Sequence, residues 1–387
     1  MKKTSIALAF AVAGFVGTVG VANACSKIAI HTQEHGVIQV RSLDWDTAIN
    51  TVAKVIPLGG ELIVNDSETY KNVLRGQAKY PTMAFNEHIV FHGTNMAARN
   101  DRGLIADILY QSASYTYLDA HVANQSASVN YIAVDKAPST IAANYASVKA
   151  LVSDLQSGKV DIGWGMKLGD GGAHGSHINV QDKHGDAVLL QLGEGGKTVV
   201  TLGKIATDAD VAMQANEPLL HTSKEYLATF EAQPGDQDFL NQVPAGIRSI
   251  DRFARLQGMH ALHTAENYRG KSELEAIGTL NGAFDQAANL AQFVATGSNV
   301  AVQQAFEDAS GVSKTVMALD ANGVYPTRVK YSHGLNSGYF QFDNTETNQN
   351  VNFNVYQVLK NAKTEICSDD LMKAANRGVV TWGECKG

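Results

Sequence analysis

A cysteine that follows a run of small residues is the first candidate for chemistry in this sequence. Cys25 comes directly after Ala22-Asn23-Ala24, and Asp44 follows nineteen residues later. If the chain is cut before Cys25, that residue carries a thiol and a free α-amine, so it supplies both a nucleophile and a base. An α-amine titrates at roughly 7.7 to 8.0, far below lysine, and is therefore partly neutral near physiological pH. Asp44 could orient the amine and Arg41 could favour the thiolate; an ordinary surface ion pair on a hairpin is the alternative.

The residues before Cys25 have the pattern of a signal peptide. Met1-Lys2-Lys3 is a short basic start, a long apolar run follows, and Ala22-x-Ala24 suits a signal peptidase. We therefore expect residues 1–24 to be removed and residues 25–387 to form one periplasmic or secreted domain. Two alternatives stay open: lipid attachment at Cys25, which would make the chain a lipid-anchored binding protein, and an uncleaved membrane anchor.

Composition excludes several classes of protein. The chain of 387 residues has a formal net charge of −7, with 44% hydrophobic and 18% charged residues, which are globular values. It has no basic run, so we expect no nucleic acid partner, and no second segment suits a membrane span.

The glycine-rich stretch at 169–175 has neither dinucleotide nor phosphate-loop spacing, and His174, His177 and His184 lack metal-site spacing. We expect neither a cofactor nor a metal.

The remaining two cysteines bracket a short C-terminal segment. Cys367 and Cys385 could pair in an oxidising compartment, and the closed loop of about nineteen residues would be worth about 3 kcal/mol. Cys25 would then be the free thiol, which marks it as reactive or intermolecular.

The pattern of strands and turns predicts an α+β fold built on antiparallel hairpins. The first hairpin joins residues 26–32 to 37–41. If Thr32 lies opposite Val37, Cys25 lies opposite Asp44. Strict alternation then puts Arg41 on the face opposite Asp44, so both reach one site only through a bulge or a strand end.

Further elements follow the same logic. Strands are predicted at 53–57, 61–64, 104–110, 177–181, 187–192, 198–201, 210–213, 315–319, 327–331 and 337–342. Helices are predicted at 140–156, 249–262, 272–278 and 284–293. Because hairpins outnumber βαβ units, the helices should lie outside antiparallel sheets.

Several blocks of the sequence resemble, in order, the choloylglycine hydrolase family of penicillin V acylases and conjugated bile salt hydrolases. They are Cys25, Val40–Trp45, Asn100–Leu104 leading to Tyr110, Ala215–Pro218 and Ser249–Arg255. The resemblance implies an N-terminal nucleophile hydrolase with a four-layer αββα sandwich of two antiparallel sheets. It also implies a cofactor-free enzyme and a homotetramer. Ser26, where the family often has threonine, and longer segments between Tyr110 and Asn216 are departures.

The resemblance also implies a role for each matching residue. Cys25 would be the nucleophile and, through its amine, the base, and Asp44 would orient that amine. Arg41 and Arg252 would lie beside the sulfur and the carboxylate.

Two further positions would serve the carbonyl of the substrate. The Asn216 side chain and the Tyr110 backbone N–H would form the oxyanion hole, where each donor is worth a few kcal/mol. A turn residue is the alternative for Asn216. Trp45, with Tyr115 and Tyr117, would line an apolar acyl pocket or pack in the core.

The implied activity is hydrolysis of a linear amide C–N bond. A tyrosine at position 110 favours the acylase side of the family, because bile salt hydrolases tend to carry asparagine there. Export is similar to that of acylases from Gram-negative bacteria. Penicillin V and N-acyl homoserine lactones are the expected substrates, and a conjugated bile salt is the alternative.

Overall fold

The computed structural model describes residues 25–45, 48–62, 69–70, 72–167, 173–236, 238–244, 248–289 and 327–385. The predicted signal peptide, the predicted strand at 315–319 and the glycine-rich stretch around 169–172 lie outside these residues. Position 61 of the predicted strand at 61–64 forms only an isolated bridge, to Gln77, and positions 63 and 64 are not described.

Within the described residues, strands and helices have the following bounds. The strands are β1 (Ser26–Thr32), β2 (Gly36–Asp44), β3 (Thr51–Ile56), β4 (Thr82–Glu87), β5 (Thr94–Asn100), β6 (Leu104–Tyr110), β7 (Asn130–Ala133), β8 (Val160–Gly163), β9 (Met166–Lys167), β10 (Ala173–His174), β11 (Ser176–Asp182), β12 (Asp186–Gly193), β13 (Lys197–Lys204), β14 (Met213–Ala215), β15 (Thr327–Gly334), β16 (Tyr339–Asn344), β17 (Gln349–Asn354), β18 (Ile366–Ser368) and β19 (Trp382–Gly383). The α-helices are α1 (Leu118–Ala123), α2 (Ala137–Asn144), α3 (Val148–Gln156), α4 (Ala209–Ala212), α5 (Leu220–Leu227), α6 (Phe239–Gln242), α7 (Ser249–Leu262), α8 (Glu273–Phe284), α9 (Val355–Asn361) and α10 (Leu371–Arg377).

Two large antiparallel sheets contain most of the strands. The six-stranded sheet has the order β14-β1-β2-β15-β16-β17, and the nine-stranded sheet has the order β13-β12-β11-β6-β5-β4-β3-β18-β19. Every described pair within these two sheets is antiparallel, whereas the small β7–β8 pair is parallel. The predicted α+β class with hairpin-built sheets is confirmed.

The two sheets face each other and helices cover their outer faces. Lys27 and Arg41 of the six-stranded sheet reach Asp107 of the nine-stranded sheet. Helices α2 and α3 pack on the nine-stranded sheet, and α7 and α8 pack on the outer face of the six-stranded sheet. Each buried large apolar side chain in these layers contributes about 1.5–3 kcal/mol. The layers form the predicted αββα sandwich.

The first hairpin has a register one residue away from the predicted one. Thr32 pairs with Gly36, not with Val37, and Lys27 pairs with Arg41. Gly36 has φ +64°, and the Thr32 hydroxyl accepts a hydrogen bond from His35 N (3.0 Å) and donates one to the Gly36 carbonyl (3.0 Å). Glycine adopts this conformation readily, so the strand starts one residue earlier than the valine run indicates. The prediction that Cys25 lies opposite Asp44 is therefore wrong.

β2 has neither a bulge nor a strand end between Arg41 and Asp44, so the two side chains are not brought to one face; the irregularity lies in the neighbouring strand β15. β2 runs without interruption to Asp44, while β15 pairs Thr327 with Asp44 and Val329 with Leu43, so Arg328 is the extra residue. Arg41 and Asp44 keep the opposite faces that alternation predicts.

The predicted helix at 140–156 is two helices. Tyr145 separates α2 from α3 with an extended backbone (φ −123°, ψ 135°), and its carbonyl and that of Ala142 accept hydrogen bonds from Asn100 Nδ2 (2.8 and 2.7 Å). Ser147 then caps α3 by accepting a hydrogen bond from Ala150 N. A periodic apolar pattern did not reveal this long-range contact, so the prediction of one helix is wrong.

Other helix predictions had mixed outcomes. The predicted helix at 249–262 is confirmed as α7, and that at 272–278 continues to Phe284. The described part of the predicted helix at 284–293 ends in a π-helical segment at Asp285–Asn289. The predicted strand at 210–213 is wrong, because Asp208 caps the short helix α4 there by accepting a hydrogen bond from Asp210 N (3.0 Å).

The cysteines are arranged as their spacing indicates. Cys367 and Cys385 form a disulfide that ties the C-terminal segment to β18. Cys25 is the free cysteine and is buried.

Candidate active site

Cys25 lies immediately before β1, where the two sheets meet. Cys25 is 2% exposed and belongs to the same apolar cluster as Leu43 and Trp45. Burial raises the pKa of the thiol, and the Arg41 charge lowers it. Asp44 acts in both directions, because its carboxylate raises the pKa while a backbone hydrogen bond from it lowers the pKa. The thiol is therefore buried between two opposing electrostatic influences.

Arg41 lies between the two sheets, on the thiol's side of β2. Its guanidinium donates hydrogen bonds to the Asp107 carboxylate (Nη1 to Oδ1, 3.2 Å) and to the carbonyls of Met96 and Ile108, the latter at 3.1 Å from Nη2. The group also lies 5.7 Å from the centre of the Tyr331 ring. These contacts hold a fully buried cation where its charge acts on the thiol.

Asp44 lies on the other face of the six-stranded sheet, which helix α7 covers, and Arg252 is a residue of that helix. Thr327 donates a hydrogen bond to Asp44 Oδ1 (2.7 Å), and Arg252 Nε donates one to the Ser26 hydroxyl (3.1 Å). Burial raises the pKa of Asp44 to about 6, although Arg252, Thr327, Ser42 and Arg41 all lower it. Ser26 directly follows Cys25 in the sequence, and charged groups on both faces of the sheet act on the Cys25 thiol.

One oxygen of Asp44 is available to a further donor. Asp44 is completely buried, yet its Oδ2 has no hydrogen-bond partner among the described residues. Buried carboxylate oxygens without a partner are uncommon because they lose the hydrogen bonds of water. The arrangement suits a donor that arrives at this position, such as an amine.

Asn216 directly follows β14, whose Ala215 pairs with Ser26, so the register brings it beside Cys25. Its Nδ2 donates a hydrogen bond to the Tyr110 carbonyl (2.9 Å), which leaves the second hydrogen of the amide for another acceptor. Gln111 Nε2 supports the same turn by donating to the carbonyls of Asn216 and Pro218, each at 3.2 Å. Tyr110 is thus in contact with Asn216, and the role of its N–H in an oxyanion hole stays a prediction.

The aromatic residues predicted for an acyl pocket differ in how exposed they are. Trp45 is buried and packs edge-on against Phe91, with ring centres 4.5 Å apart. Tyr115 is 53% exposed, whereas Tyr117 lines a cavity of about 490 Å³ with Leu219 and other residues. Trp45 is therefore a core residue in this arrangement, and substrate contact by Trp45 stays a prediction.

Several residues near the thiol were not predicted from the sequence. Thr327 holds the catalytic candidate Asp44, and Lys27 and Asp107 form a buried ion pair beside Arg41, with Nζ and Oδ2 2.6 Å apart. Lys27 and Asp107 each stand within an otherwise mostly apolar predicted strand, which was the available signal. Thr327 had no such signal, because it reaches Asp44 only through sheet pairing.

The described part of the chain contains no candidate metal centre. No group of three or more histidine, cysteine, aspartate or glutamate side chains is placed there to hold an ion. The helices of the same residues include none with the length and apolar character of a membrane span.

Comparisons with known proteins identify the fold of this chain by structure, but none matches it by sequence. No protein-family model matches the chain, and no curated protein is significantly similar to it in sequence. Among solved structures, penicillin V acylase from Agrobacterium tumefaciens is similar with a TM-score of 0.64 and 16% identity, over 94% of this chain and 98% of that one. A mutant of conjugated bile acid hydrolase from Clostridium perfringens has a TM-score of 0.63 and 14% identity, over 94% and 97%.

A second variant of the Clostridium perfringens hydrolase gives a TM-score of 0.60 at 14% identity, again over 94% of this chain. The likeness extends over nearly the full length of each compared chain. The chain therefore has the fold of penicillin V acylase and conjugated bile acid hydrolase, a four-layer sandwich with two central antiparallel sheets.

Proposed function

We propose that the mature protein is an amidohydrolase of the penicillin V acylase and bile salt hydrolase type, with Cys25 as its nucleophile. The observation that carries the proposal is the buried thiol at the start of β1, with Arg41 on one side and the incompletely paired Asp44 carboxylate on the other. The fold shared with two kinds of hydrolase supports the same reaction class.

The proposed reaction starts when removal of residues 1–24 frees the α-amine of Cys25. The neutral amine donates a hydrogen bond to Asp44 Oδ2 and accepts the thiol proton. The sulfur then attacks the amide carbonyl carbon, and the carbonyl oxygen becomes an oxyanion next to the Asn216 amide. The ammonium gives its proton to the leaving nitrogen, the C–N bond breaks, and a thioester remains.

Water completes the cycle. The α-amine, neutral again, takes a proton from water as the hydroxide attacks the thioester carbonyl. The oxyanion forms a second time beside Asn216 and collapses with release of the carboxylic acid, and the proton returns to the sulfur. The two arginines favour the two anions of the site, the Cys25 thiolate and the Asp44 carboxylate. The charge of Arg41 lowers the pKa of the thiol, and that of Arg252 lowers the pKa of Asp44.

The first experiment determines the start of the mature chain and the need for the thiol. We expect the exported protein to have the mass of a chain that begins with a bare Cys25, and the Cys25→Ser variant to be processed but inactive. A diacylglyceryl adduct on Cys25 would instead favour the lipid-anchored binding protein. Hydrolysis that persists after chemical blocking of the α-amine would contradict the proposed base.

The substrate class is chosen by parallel assays. We propose a phenoxyacetyl-like or fatty acyl amide, tested with penicillin V and a long-chain N-acyl homoserine lactone, and glycocholate represents the bile salts. Support for the acylase substrates comes from Tyr110 at the position where bile salt hydrolases tend to have asparagine. Turnover of glycocholate alone would reassign the chain to the bile salt side.

Location and assembly belong to the same proposal. We propose a periplasmic or secreted enzyme, consistent with a disulfide between Cys367 and Cys385. A homotetramer is proposed from the family resemblance. Fractionation of producing cells tests the first, and light scattering of the purified protein tests the second.

A further inference from the structure

A charged network lies between the two sheets, on the same side of the six-stranded sheet as the thiol. The Lys27 ammonium donates hydrogen bonds to Asp107 Oδ2 and Asn179 Oδ1, each at 2.6 Å. Gln39 Nε2 donates to the same Asp107 oxygen (2.9 Å), and Arg41 Nη1 donates to the other one (3.2 Å). All five residues are completely buried.

The distances indicate how charge is shared within this network. Lys27 approaches Asp107 more closely than Arg41 does, at 2.6 Å against 3.2 Å. Burial lowers the pKa of Lys27 to about 8, so its ammonium is still mostly protonated at neutral pH. At that pH two cations face one carboxylate, and Lys27 provides the stronger partner for it. One positive charge is left over, and it resides mainly on Arg41, the cation with the strongest effect on the Cys25 thiol. A thiolate at Cys25 would balance the network.

The other titratable groups that face the network carry no charge at neutral pH. Burial lowers the pKa of His177, from β11, to about 3 and lowers that of His333, from β15, well below its ordinary value. Burial raises the pKa of Tyr331 to about 12. On the outer side of the sheet, the Asp44 carboxylate raises the pKa of the thiol and the Arg252 charge lowers it.

We propose that Lys27 and Asp107 are positioning residues for the thiol: Asp107 holds Arg41 in place, and Lys27 neutralises Asp107 so that the Arg41 charge stabilises the thiolate of Cys25. The inference rests on the proposed role of Cys25 as nucleophile and adds the residues that set its ionisation. Neither Lys27 nor Asp107 contacts the substrate in this scheme.

The proposal predicts opposite effects for two single substitutions. In Lys27→Met, Asp107 has only Arg41 as a cationic partner, so the thiol pKa should rise by about one unit. In Asp107→Asn, Arg41 keeps its hydrogen bonds to the carbonyls of Met96 and Ile108 and so stays near the thiol. Both cations lose their counter-charge, so the thiol pKa should fall by about one unit. The double variant removes one charge of each sign and should return the pKa close to that of the wild-type protein.

The readout is the ultraviolet absorbance of the thiolate as a function of pH, measured on mature protein against a Cys25→Ser baseline. Of the three cysteines, Cys367 and Cys385 are disulfide-bonded, so the difference reports Cys25 alone. Lys27→Arg keeps the charge and should leave the thiol pKa unchanged. Lys149→Met removes an exposed lysine on α3 and is the matched control.

The outcomes separate this inference from the proposed function. Shifts of the same sign in both single variants, or a double variant that does not return toward wild type, would overturn the positioning role. If Asp107→Asn does not fold, Lys27→Met, Lys27→Arg and the double variant still decide. The absorbance needs no substrate, so a protein with the expected shifts that hydrolyses no amide would overturn the proposed function and leave the inference standing.

Discussion

At the scale of single residues, Asp44 should set the acid limit of activity. Burial raises its pKa to about 6. In the mature protein the neutral amine is the base, so protonation of the amine, at roughly 7.7 to 8.0, starts the decline of kcat/KM. Protonation of Asp44 then removes the acceptor that orients the amine, so we expect a second and steeper fall at lower pH. Asp44→Asn should abolish turnover at every pH. The pH profile of kcat/KM measures this limit, and a flat profile down to pH 4 would contradict it.

The same group gives a stability effect whose sign can be worked out. An acid with a raised pKa in the folded state holds its proton over a range where the unfolded chain has lost it. The contribution of Asp44 to folding stability is therefore greatest below the ordinary pKa of 3.8 and falls as the pH rises to about 6, by about 3 kcal/mol for a chain that still has residues 1–24 attached. The lowered pKa of Asp107 contributes in the opposite direction. Urea unfolding of the Cys25→Ser precursor at several pH values checks this. Asp44→Asn in the same background should remove the decline.

Thr327 should tune Asp44 through one hydrogen bond. Its hydroxyl donates to Oδ1 at 2.7 Å and so favours the ionised carboxylate. In Thr327→Val the shape remains but the donor is lost, so the pKa of Asp44 should rise and the acid limb of the activity profile should move toward higher pH. Thr327→Ser keeps the hydroxyl and is the control. An unchanged acid limb in the valine variant would show that this bond does not influence Asp44.

Asn216 offers a test of oxyanion stabilisation. Its amide nitrogen is held by the Tyr110 carbonyl and has a second hydrogen to donate. Asn216→Ala should lower kcat by about 10²–10³-fold and change KM little, because the interaction forms only as the oxyanion develops. Steady-state kinetics on the preferred substrate measures both constants. A rise in KM at constant kcat would assign Asn216 to substrate binding instead.

At the scale of elements, an arginine from one sheet holds a loop of the other. Buried Arg99 of β5 donates from Nη2 to the carbonyls of Gly334 (2.8 Å) and Leu335 (3.1 Å), and from Nη1 to that of Tyr339 (3.1 Å). These carbonyls lie in and beside the connection between β15 and β16, and β15 carries Thr327 at its other end. Arg99 therefore joins the two sheets and also supports the strand that carries Thr327.

Arg99→Met should lower the free energy of unfolding by about 3 kcal/mol, because buried carbonyls lose their donors. Arg102→Met is the matched control on the adjacent turn: its side chain is 58% exposed and pairs with Asp101 at 3.4 Å. That substitution should cost less than about 1 kcal/mol. Urea titrations of both variants compare them directly, and equal losses would contradict the role of Arg99 in sheet docking.

At the scale of the whole molecule, the two kinds of cysteine should behave independently. The disulfide between Cys367 and Cys385 closes a loop at one end of the nine-stranded sheet, whereas Cys25 lies in the core. Replacing both disulfide cysteines by alanine should lower the free energy of unfolding by about 3 kcal/mol and leave the thiol pKa unchanged. A reductant should destabilise Cys25→Ser as much as the wild-type protein. A larger effect on the wild type would link the two sites.

Much of the local structure followed from patterns within the sequence. Alternating apolar residues predicted the hairpins around β1 and β11, and helical periodicity predicted α7 with its correct ends. Such patterns depend on neighbours within a few residues, so a single sequence is enough to predict these strands and helices. Cys25, Asp44 and Arg252 were likewise identified as candidate site residues from their residue types and from the order of the motifs that contain them.

Tertiary contacts decided what the patterns left open. A single glycine conformation at Gly36 moved the hairpin register by one residue, and a side chain from another strand, Asn100, divided the predicted helix. The partners of Asp44 and Arg41, Thr327 and Asp107, are distant in sequence. The sequence alone thus determined the chemistry available to this protein, while its electrostatic setting exists only after folding, because burial and charge pairing depend on which strands meet.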